Sequence, residues 1–451
     1  MSPCWGKHLD QLGEVKGEFM KRSWRALTAA SFLVLCGQAS ADTSFDWGGQ
    51  GNLSAYSIDQ DDIAAGDANN FGFAGEGKVW GRVKLVTDSG VEYGARAQLR
   101  FQSSEHEFSN DFVRGAPEFV DEVWIYMQTA FGGLKIGLED GAADSAGIYS
   151  PAVSDINSID DARAFVLQDP LAPEFTAYSP NGAHLRTDLN ASGDALKIIY
   201  TSPRLIGIQL TGSYTPDVRR GVDELFDGDD SINRQSDIWE VGLNYQGSLS
   251  SFDVGFYAGY VTGSNDDPAA IVLPVVATIG GPIAVFASDA FVPDDLEEWG
   301  AGAQVAYEGF KIGGSYRSTN IAGGAGLFDR EVGAFTVGCT QIAGCVLPDA
   351  RTEIWGAGIT YETGPWEFGV NYITLDEELP TFTSGGSHSL SQEADAWAGA
   401  IGYEFDENLR MGIGYQHYEF NGPANACVAG PTPACDTLEA DVGYFETSIT
   451  F

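Results

Sequence analysis

The chain has 451 residues, of which 24 are Lys or Arg and 64 are Asp or Glu, so its formal net charge is −40 at pH 7. This balance excludes nucleic acid as a partner, because a polyanion needs a clustered basic surface. Aromatic residues make up 12% of the chain, which argues against disorder because Trp, Tyr and Phe can bury surface.

The N-terminal segment predicts secretion. Residues 20–41 combine a basic start, an apolar stretch from Ala26 to Leu35 and the cleavage motif Ala39-Ser40-Ala41, a pattern typical of a signal peptide. Residues 1–19 contain acidic residues that such signals avoid, and we interpret them as an artefact of an upstream start site. The mature domain is therefore predicted to span residues 42–451.

A repeated unit in the C-terminal half predicts the architecture. Each copy begins with Trp, ends with Tyr and is followed by a tight turn and a strand with apolar residues at alternate positions: Trp239–Tyr245, Trp299–Tyr307, Trp355–Tyr361 and Trp397–Tyr403. A period of two gives a strand one apolar and one polar face. A soluble β-sandwich also alternates. Here, however, the aromatic residues stand at both ends of each apolar run, about 15–20 Å apart on a tilted strand, as in a membrane barrel.

Short turns alternate with long connections along the chain, which favours a transmembrane barrel with long loops on one side. The predicted strands are sixteen: 45–57, 73–87, 91–102, 119–131, 134–139, 194–201, 206–214, 237–245, 252–261, 298–307, 310–318, 353–361, 366–374, 395–403, 409–417 and 439–451. The even number places both termini on the same side of the membrane. The last strand ends on the aromatic residue Phe451, which is typical of barrels assembled in the outer membrane.

Two segments resemble the general porins of Gram-negative bacteria. Phe131–Gly141 resembles the porin segment in which a tight turn starts the strand before the constriction loop. Leu196–Pro203 is similar to the strand that follows this loop. With the sixteen strands, the signal peptide and Phe451, the resemblance covers essentially the whole mature chain.

The resemblance implies an all-β fold, a 16-stranded antiparallel transmembrane β-barrel in the outer membrane. It implies that the third external loop, within residues 141–193, folds inward and narrows a water-filled channel. Passive diffusion of small hydrophilic solutes and ions follows as the expected function. The resemblance also implies a homotrimer in contact with outer-membrane lipid and lipopolysaccharide.

The polar face of the second and third strands predicts a basic wall in the channel: Lys78, Arg82, Lys84, Arg96 and Arg100. A tight turn at residues 88–90 places Lys78 opposite Arg100. The same register places Arg82 opposite Arg96. Like charges in opposed positions destabilise a sheet, so nearby carboxylates are expected to compensate.

General porins carry an arginine cluster that faces carboxylates of the inward loop, and the resemblance implies the same arrangement here. The candidate carboxylates are Glu139, Asp140, Asp144, Asp155, Asp160, Asp161, Asp169 and Glu174. The alternative is that the basic residues are ordinary solvated residues of a polar interior. The excess of carboxylates over basic residues predicts a preference for cations.

Three further features carry weaker predictions. Cysteines in an exported chain favour disulfides, and two local pairs predict two bonds within loops: Cys339 with Cys345, and Cys427 with Cys435. The acidic loop Asp217–Asp237 is a candidate for structural Ca²⁺ or for divalent bridging to lipopolysaccharide, although a solvated acidic loop is the commoner explanation of such a segment. No other cofactor is predicted. The apolar segment Ala269–Phe291 has no assigned role.

Three other functions compete with a general porin. An outer-membrane enzyme is disfavoured because the mature chain has few histidines, and they are scattered: His106, His184 and His388 in predicted loops, and His417 at the outer rim of a strand. A substrate-specific channel and a non-conducting structural or adhesive barrel stay open. Block of the conductance by one solute would indicate the specific channel, and absence of conductance the structural barrel.

Overall fold

The computed structural model describes residues 42–60, 71–102, 120–153, 185–217, 236–264, 295–320, 351–383, 386–421 and 437–451. These residues form one closed antiparallel barrel in which each strand pairs with its neighbours in sequence and the first pairs with the last. The strands are β1 (Asp42–Gln60), β2 (Phe71–Val86), β3 (Glu92–Gln102), β4 (Val120–Thr129), β5 (Gly132–Leu138), β6 (Leu196–Thr201), β7 (Ile208–Asp217), β8 (Ser236–Leu249), β9 (Phe252–Ser264), β10 (Leu296–Tyr307), β11 (Phe310–Thr319), β12 (Arg351–Thr363), β13 (Trp366–Thr383), β14 (Gly386–Asp406), β15 (Leu409–Asn421) and β16 (Thr437–Thr450). The predicted all-β, 16-stranded antiparallel barrel is confirmed.

The two faces of the sheet differ in polarity. On β2 and β3, Val79, Leu99 and Phe101 are exposed on the outside of the barrel, whereas Gln98, next to Leu99 in the chain, is buried on the inner face. Successive side chains of a strand point to opposite faces, so this alternation separates an apolar outer surface from a polar interior. An outer surface of this kind is suited to lipid.

Aromatic rings and carboxylates line one rim of the outer surface. Tyr214 lies directly opposite Trp239, and the centres of their rings are 4.6 Å apart. The Tyr214 hydroxyl also donates a hydrogen bond to Asp237, two residues before this Trp. Three further Tyr residues lie opposite a Trp and donate a hydrogen bond to a carboxylate two residues before it: Tyr260 opposite Trp299 with Glu297, Tyr316 opposite Trp355 with Glu353, and Tyr372 opposite Trp397 with Asp395. The carboxylates of this row are absent from the sequence prediction, which considered only the aromatic residues.

The C-terminal residue helps to close the barrel. Phe451 donates its backbone N–H to the Gly49 carbonyl at 3.0 Å, and its own carbonyl accepts the Gly49 N–H at 2.9 Å. The Phe451 ring packs edge-on against Trp47 on the outer face, with 6.0 Å between ring centres. The last residue of the chain is therefore part of the seam between β1 and β16.

The prediction is wrong for residues 375–394, which it assigned to a loop. In the structure β13 and β14 continue as a paired hairpin as far as Thr383 and Gly386, which lie opposite each other. Beyond the lipid-facing part of a strand both faces contact water, so backbone pairing continues without the apolar alternation on which the prediction depended.

A short helix, α1 (Ala142–Ser145), follows β5, and its first residues Ala142 and Ala143 are buried. No helix in the described ranges is long and apolar enough to cross a membrane.

A substitution at Gly137 tests how closely neighbouring strands pack at this position. Its φ is +151°, and a Cβ atom added there would lie 2.1 Å from the Val123 carbonyl oxygen. We expect Gly137→Ala to lower the free energy of unfolding by about 1–3 kcal/mol, because an added group in a close-packed site forces strain. Gly51→Ala is the control, since no atom lies within 4 Å of its added Cβ. Urea unfolding followed by Trp fluorescence compares the two variants, and equal midpoints would contradict the expectation.

Candidate functional site

The five basic residues predicted to form a wall share the inner face of β2 and β3. The observed register places Lys78 opposite Arg100 and Arg82 opposite Arg96, as the turn at residues 88–90 predicts. Lys84 lies on the same face, opposite Gly94. The structure therefore brings these basic side chains together on one side of the barrel interior.

Carboxylates of the barrel wall balance these charges. The Arg82 guanidinium lies 2.7 Å from Asp46 of β1, and the Lys84 ammonium lies 2.7 Å from Glu92 of β3. Glu76 of β2 serves two partners, because it is 2.9 Å from Arg100 and 3.7 Å from Lys78. The remaining pairs are Lys78 with Asp121 at 3.6 Å, Arg100 with Asp121 at 3.5 Å, and Arg96 with Glu122 at 3.5 Å.

None of these partners is among the loop carboxylates that the sequence predicts, most of which lie outside the described residues. Glu76 and Glu92 lie on the same two strands and the same face, so extending the predicted register by a few residues would have found them. Asp46 and Asp121 belong to the flanking strands β1 and β4, whose alignment the sequence did not fix.

A β-bulge turns Asp121 toward the site. Gln98 lies opposite Glu122, but Leu99 lies opposite Val120, so Asp121 is an extra residue in β4. The amide nitrogen of Gln98 is 2.6 Å from Asp121 and 2.8 Å from Glu122. Bulges commonly re-aim a side chain at functional sites, and this one adds a carboxylate beside Lys78 and Arg100.

Two indole rings contact basic side chains of the inner face. The Arg96 guanidinium lies over Trp80 at 5.1 Å and over Trp124 at 5.9 Å from the ring centres. Lys135 of β5, which the sequence prediction did not include, lies over Trp124 at 4.5 Å. Cation–π contacts at these distances hold the charged groups in place.

The candidate carboxylates after β5 have other partners. Glu139 pairs with Lys135 at 2.9 Å, and Asp144 of α1 accepts a hydrogen bond from the Tyr149 hydroxyl at 2.6 Å. Asp140 lies near Asp144, and its negative charge acts to raise the pKa of Asp144. The other predicted carboxylates are outside the described residues: Asp155, Asp160, Asp161, Asp169 and Glu174.

Several further predictions also fall outside the described residues. They are the signal peptide at 20–41, most of the acidic loop between β7 and β8, the apolar segment Ala269–Phe291, and the four cysteines Cys339, Cys345, Cys427 and Cys435. Within the described ranges, no group of three or more His, Cys, Asp and Glu residues is placed to hold a metal ion. His417, which is described, pairs with Asp441 at 2.7 Å and packs near Trp397.

The described segments at the two ends of the third connection, residues 141–153 and 185–195, pack against the inner face of distant strands. The Ala142 N–H donates to Ser213 of β7 at 3.0 Å, and the Ala146 carbonyl accepts a hydrogen bond from Asn244 of β8 at 2.9 Å. On the returning side, Thr187 lies 2.6 Å from the Ser315 hydroxyl of β11. The described ends of the connection thus contact β7, β8 and β11 on the inner face.

Two buried charged residues, on β10 and β11, lie close to the part of the third connection that leads back to β6. Arg317 of β11 and Glu298 of β10 form an ion pair at 2.6 Å, and both are buried on the inner face. Because removing one partner of a buried pair leaves an uncompensated charge, such pairs fix local geometry strongly. The tight turn between β10 and β11 places Gly300 opposite Arg317 and Glu298 opposite Thr319, so the two charged residues are diagonal neighbours on one face. The sequence prediction applied this register argument only to β2 and β3.

Burial also affects the titratable groups of α1. It raises the pKa of Asp144 to about 7, and the nearby carboxylates Asp188 and Asp140 act in the same direction. Burial and the charge of Asp144 raise the pKa of the Tyr149 hydroxyl well above its ordinary value. Asp144 is therefore largely protonated in mildly acidic solution.

This shift predicts how stability depends on pH. The pKa of Asp144 in the fold exceeds the value of about 3.9 in an unfolded chain, so between about pH 4 and pH 7 the folded protein binds more protons. Its contribution to stability is full in acid and is lost as the pH rises through this window. We expect Asp144→Asn to raise the urea midpoint at about pH 8 and to leave it unchanged near pH 4. Asp88→Asn, in the exposed β2–β3 turn, is the control. An equal gain at both pH values would contradict this assignment.

A closed barrel with an apolar outer face and a charged interior is the architecture of outer-membrane channels. A family model described as Gram-negative porin matches residues 26–423. The chain belongs to this family. The porin is therefore a channel for passive diffusion in the Gram-negative outer membrane, and the predictions of a porin, of this location and of a protein that is not an enzyme are confirmed.

Solved structures share the fold. The in-vitro folded OmpT of Vibrio cholerae is 10% identical, with a TM-score of 0.52, and the match covers 92% of this chain and 100% of OmpT. A trimer form of OmpT is 10% identical, with a TM-score of 0.51 over 91% of this chain and 99% of that chain. An anion-selective porin from Comamonas acidovorans is 13% identical, with a TM-score of 0.52 over 91% and 100%. At these identities the likeness shows the fold alone. A comparison with curated proteins finds no match.

Proposed function

We propose that this porin is a cation-preferring general diffusion channel, narrowed by the connection within residues 141–193. The observation that carries the proposal is the local balance of charge on the basic wall. Each of its five basic residues lies within 4.0 Å of a carboxylate of the barrel wall.

This pairing cancels most of the positive field that the basic wall would otherwise create. Arg82 is neutralised by Asp46 and Lys84 by Glu92, each at 2.7 Å. With these charges balanced, the excess of 64 acidic over 24 basic residues sets the sign of the remaining field. Cations are then concentrated in the channel relative to anions.

Contacts of the third connection support its place inside the channel. Ala143 contacts Glu240 of β8, and Val153 contacts Arg410 of β15, both through hydrogen bonds on the inner face. A path from β5 to β15 along this face reduces the cross-section through which solutes pass. A connection of this length also needs a packing partner, which the inner wall supplies.

A homotrimer in contact with lipopolysaccharide completes the proposal. The trimer is supported by membership in the porin family and by the OmpT trimer form with the same fold. The outer surface of β1 and β2 offers apolar area for contact with lipid or a second copy, since Phe71 and Phe73 are 60% and 64% exposed. Analytical ultracentrifugation of the detergent-solubilised protein tests this assembly, and a monomer would contradict it.

The selectivity is tested by the reversal potential in a salt gradient across a planar bilayer. We expect the sign of a cation-preferring pore for the wild type. The double variant Glu76→Gln/Asp121→Asn removes the charge of two wall carboxylates that pair with Lys78 and Arg100, so its reversal potential should shift toward anions. Glu308→Gln/Asp88→Asn, in the exposed β10–β11 and β2–β3 turns, removes the same number of charges away from the basic wall and should leave the value unchanged.

Strong anion preference of the wild type would contradict the proposal. If Glu76→Gln/Asp121→Asn gives the same reversal potential as the control, the wall carboxylates do not act on permeating ions. Saturable block of the current by one solute class would instead indicate a substrate-specific channel.

A further inference from the structure

We propose that the barrel wall sets the width of the channel by holding the main chain of Gly141–Val153, the inner segment, with Gly358 and Arg410 as positioning residues. The inference rests on the proposed location of this segment in the channel. It adds that specific wall residues determine how far the segment stands from the opposite basic wall.

Glycines of three strands provide space for the inner segment. A Cβ atom added at Gly242 of β8 would lie 2.5 Å from the Ala142 carbonyl oxygen. At Gly302 of β10 it would lie 2.0 Å from the Ile148 oxygen, and at Gly358 of β12 it would lie 2.3 Å from the Pro151 oxygen. The carbonyl groups of the segment therefore occupy space that any other residue would fill.

Polar side chains of the wall bind the same main chain. Glu240 accepts a hydrogen bond from the Ala143 N–H at 3.1 Å, and Asn244 donates to the Ala146 carbonyl at 2.9 Å. Gln304 of β10 donates to the Tyr149 carbonyl. Glu240 and Asn244 are 4% and 7% exposed, so their hydrogen bonds are shielded from water. Loss of such a buried partner is costly, which makes these contacts specific.

Cationic side chains hold the chain just before the inner segment and at its far end. Lys197 of β6 is 1% exposed, and its ammonium donates to the carbonyls of Glu139 and Gly193, where the connection leaves and re-enters the sheet. At the far end the Arg410 guanidinium of β15 donates to the Val153 carbonyl and to the Glu367 carboxylate of β13. Charge-assisted bonds of this kind are stronger than neutral ones.

These contacts fix the distance of the inner segment from the wall. The glycines allow its backbone to lie directly against the strands, and the polar side chains keep it there. Because the current through a water-filled constriction grows with its cross-section, a change at a supporting residue alters the conductance even though that residue does not contact the permeating ion.

The charge-neutral test is Gly358→Ala. Its added Cβ displaces the segment from the wall toward the channel axis, so we expect a lower single-channel conductance than that of the wild type. Gly412→Ala is the matched control, since Gly412 is also buried on the inner face. The nearest atoms to its added Cβ would be the Glu446 side chain at 3.4 Å and the Ile401 carbonyl oxygen at 3.5 Å, neither of which belongs to the inner segment. A conductance of Gly358→Ala that equals or exceeds the wild-type value overturns the proposal.

The role of Arg410, which holds the Val153 end of the inner segment, is tested by Arg410→Gln. Release of Val153 frees the end of the inner segment, so we expect larger fluctuations of the open-channel current and a higher conductance. Lys311→Gln removes the same charge from the inner face at a residue that pairs with Glu362, and controls for the charge itself. If the two variants give the same record, Arg410 acts only through its charge and the proposal fails for this residue.

A cross-link separates this inference from the proposed function. An added Cβ at Gly369 would lie 2.5 Å from a methyl carbon of Val153, so the double variant Val153→Cys/Gly369→Cys brings two thiols within disulfide range if the segment lies on the wall. Failure to form this bond under oxidation contradicts the location of the segment. Formation of the bond together with a wild-type conductance of Gly358→Ala overturns only the role of the supporting residues. Heat-modifiable migration in electrophoresis confirms for every variant that the barrel is folded.

Discussion

Backbone hydrogen bonding between neighbouring strands is the constraint on which the rest of the structure depends. In hydrocarbon an unpaired N–H or carbonyl has no water to bind, so a sheet in the membrane is stable only when it has no open edge. The pairing of β1 with β16 meets this condition, and the hydrogen bonds between Gly49 and Phe451 extend it to the last residue of the chain. Closure then creates an interior that the outer lipid cannot reach.

The interior is polar because each strand alternates between two environments. A polar interior of this barrel carries many charges, and their arrangement is local: Glu76, Asp121 and Glu122 lie within hydrogen-bonding or ion-pairing range of the basic groups beside them. Opposed cations such as Lys78 and Arg100 would destabilise the sheet if they stood alone. Shared carboxylates of the wall resolve this conflict among the described residues.

Much of the fold follows from patterns that are local in sequence. Strand number, facing and the register across the β2–β3 turn depend on a period of two and one tight turn, and all three agree with the structure. Two partners of the basic wall, Asp46 and Asp121, depend on the register of the flanking strands β1 and β4 and on the bulge at Asp121, and neither feature has a local signature. The length of the β13–β14 hairpin was missed because, outside the lipid, pairing needs no apolar alternation.

The path of the inner segment was predictable only in outline. The length of the third connection indicated that it needs a packing partner. The residues that contact the inner segment lie far away in the chain, however, as Arg410 does from Val153. Glycines such as Gly302 and Gly358 read in the sequence simply as small residues within strands. Their contacts become evident once the strands are placed around the segment.

The wall contacts the inner segment largely through backbone atoms, and this has a consequence for how such a channel can change. A wall that binds a segment through its main-chain atoms makes few demands on the side chains of that segment. Substitutions that point away from the wall are then tolerated, so new filtering properties can arise by ordinary point mutation while the scaffold and its assembly pathway are preserved.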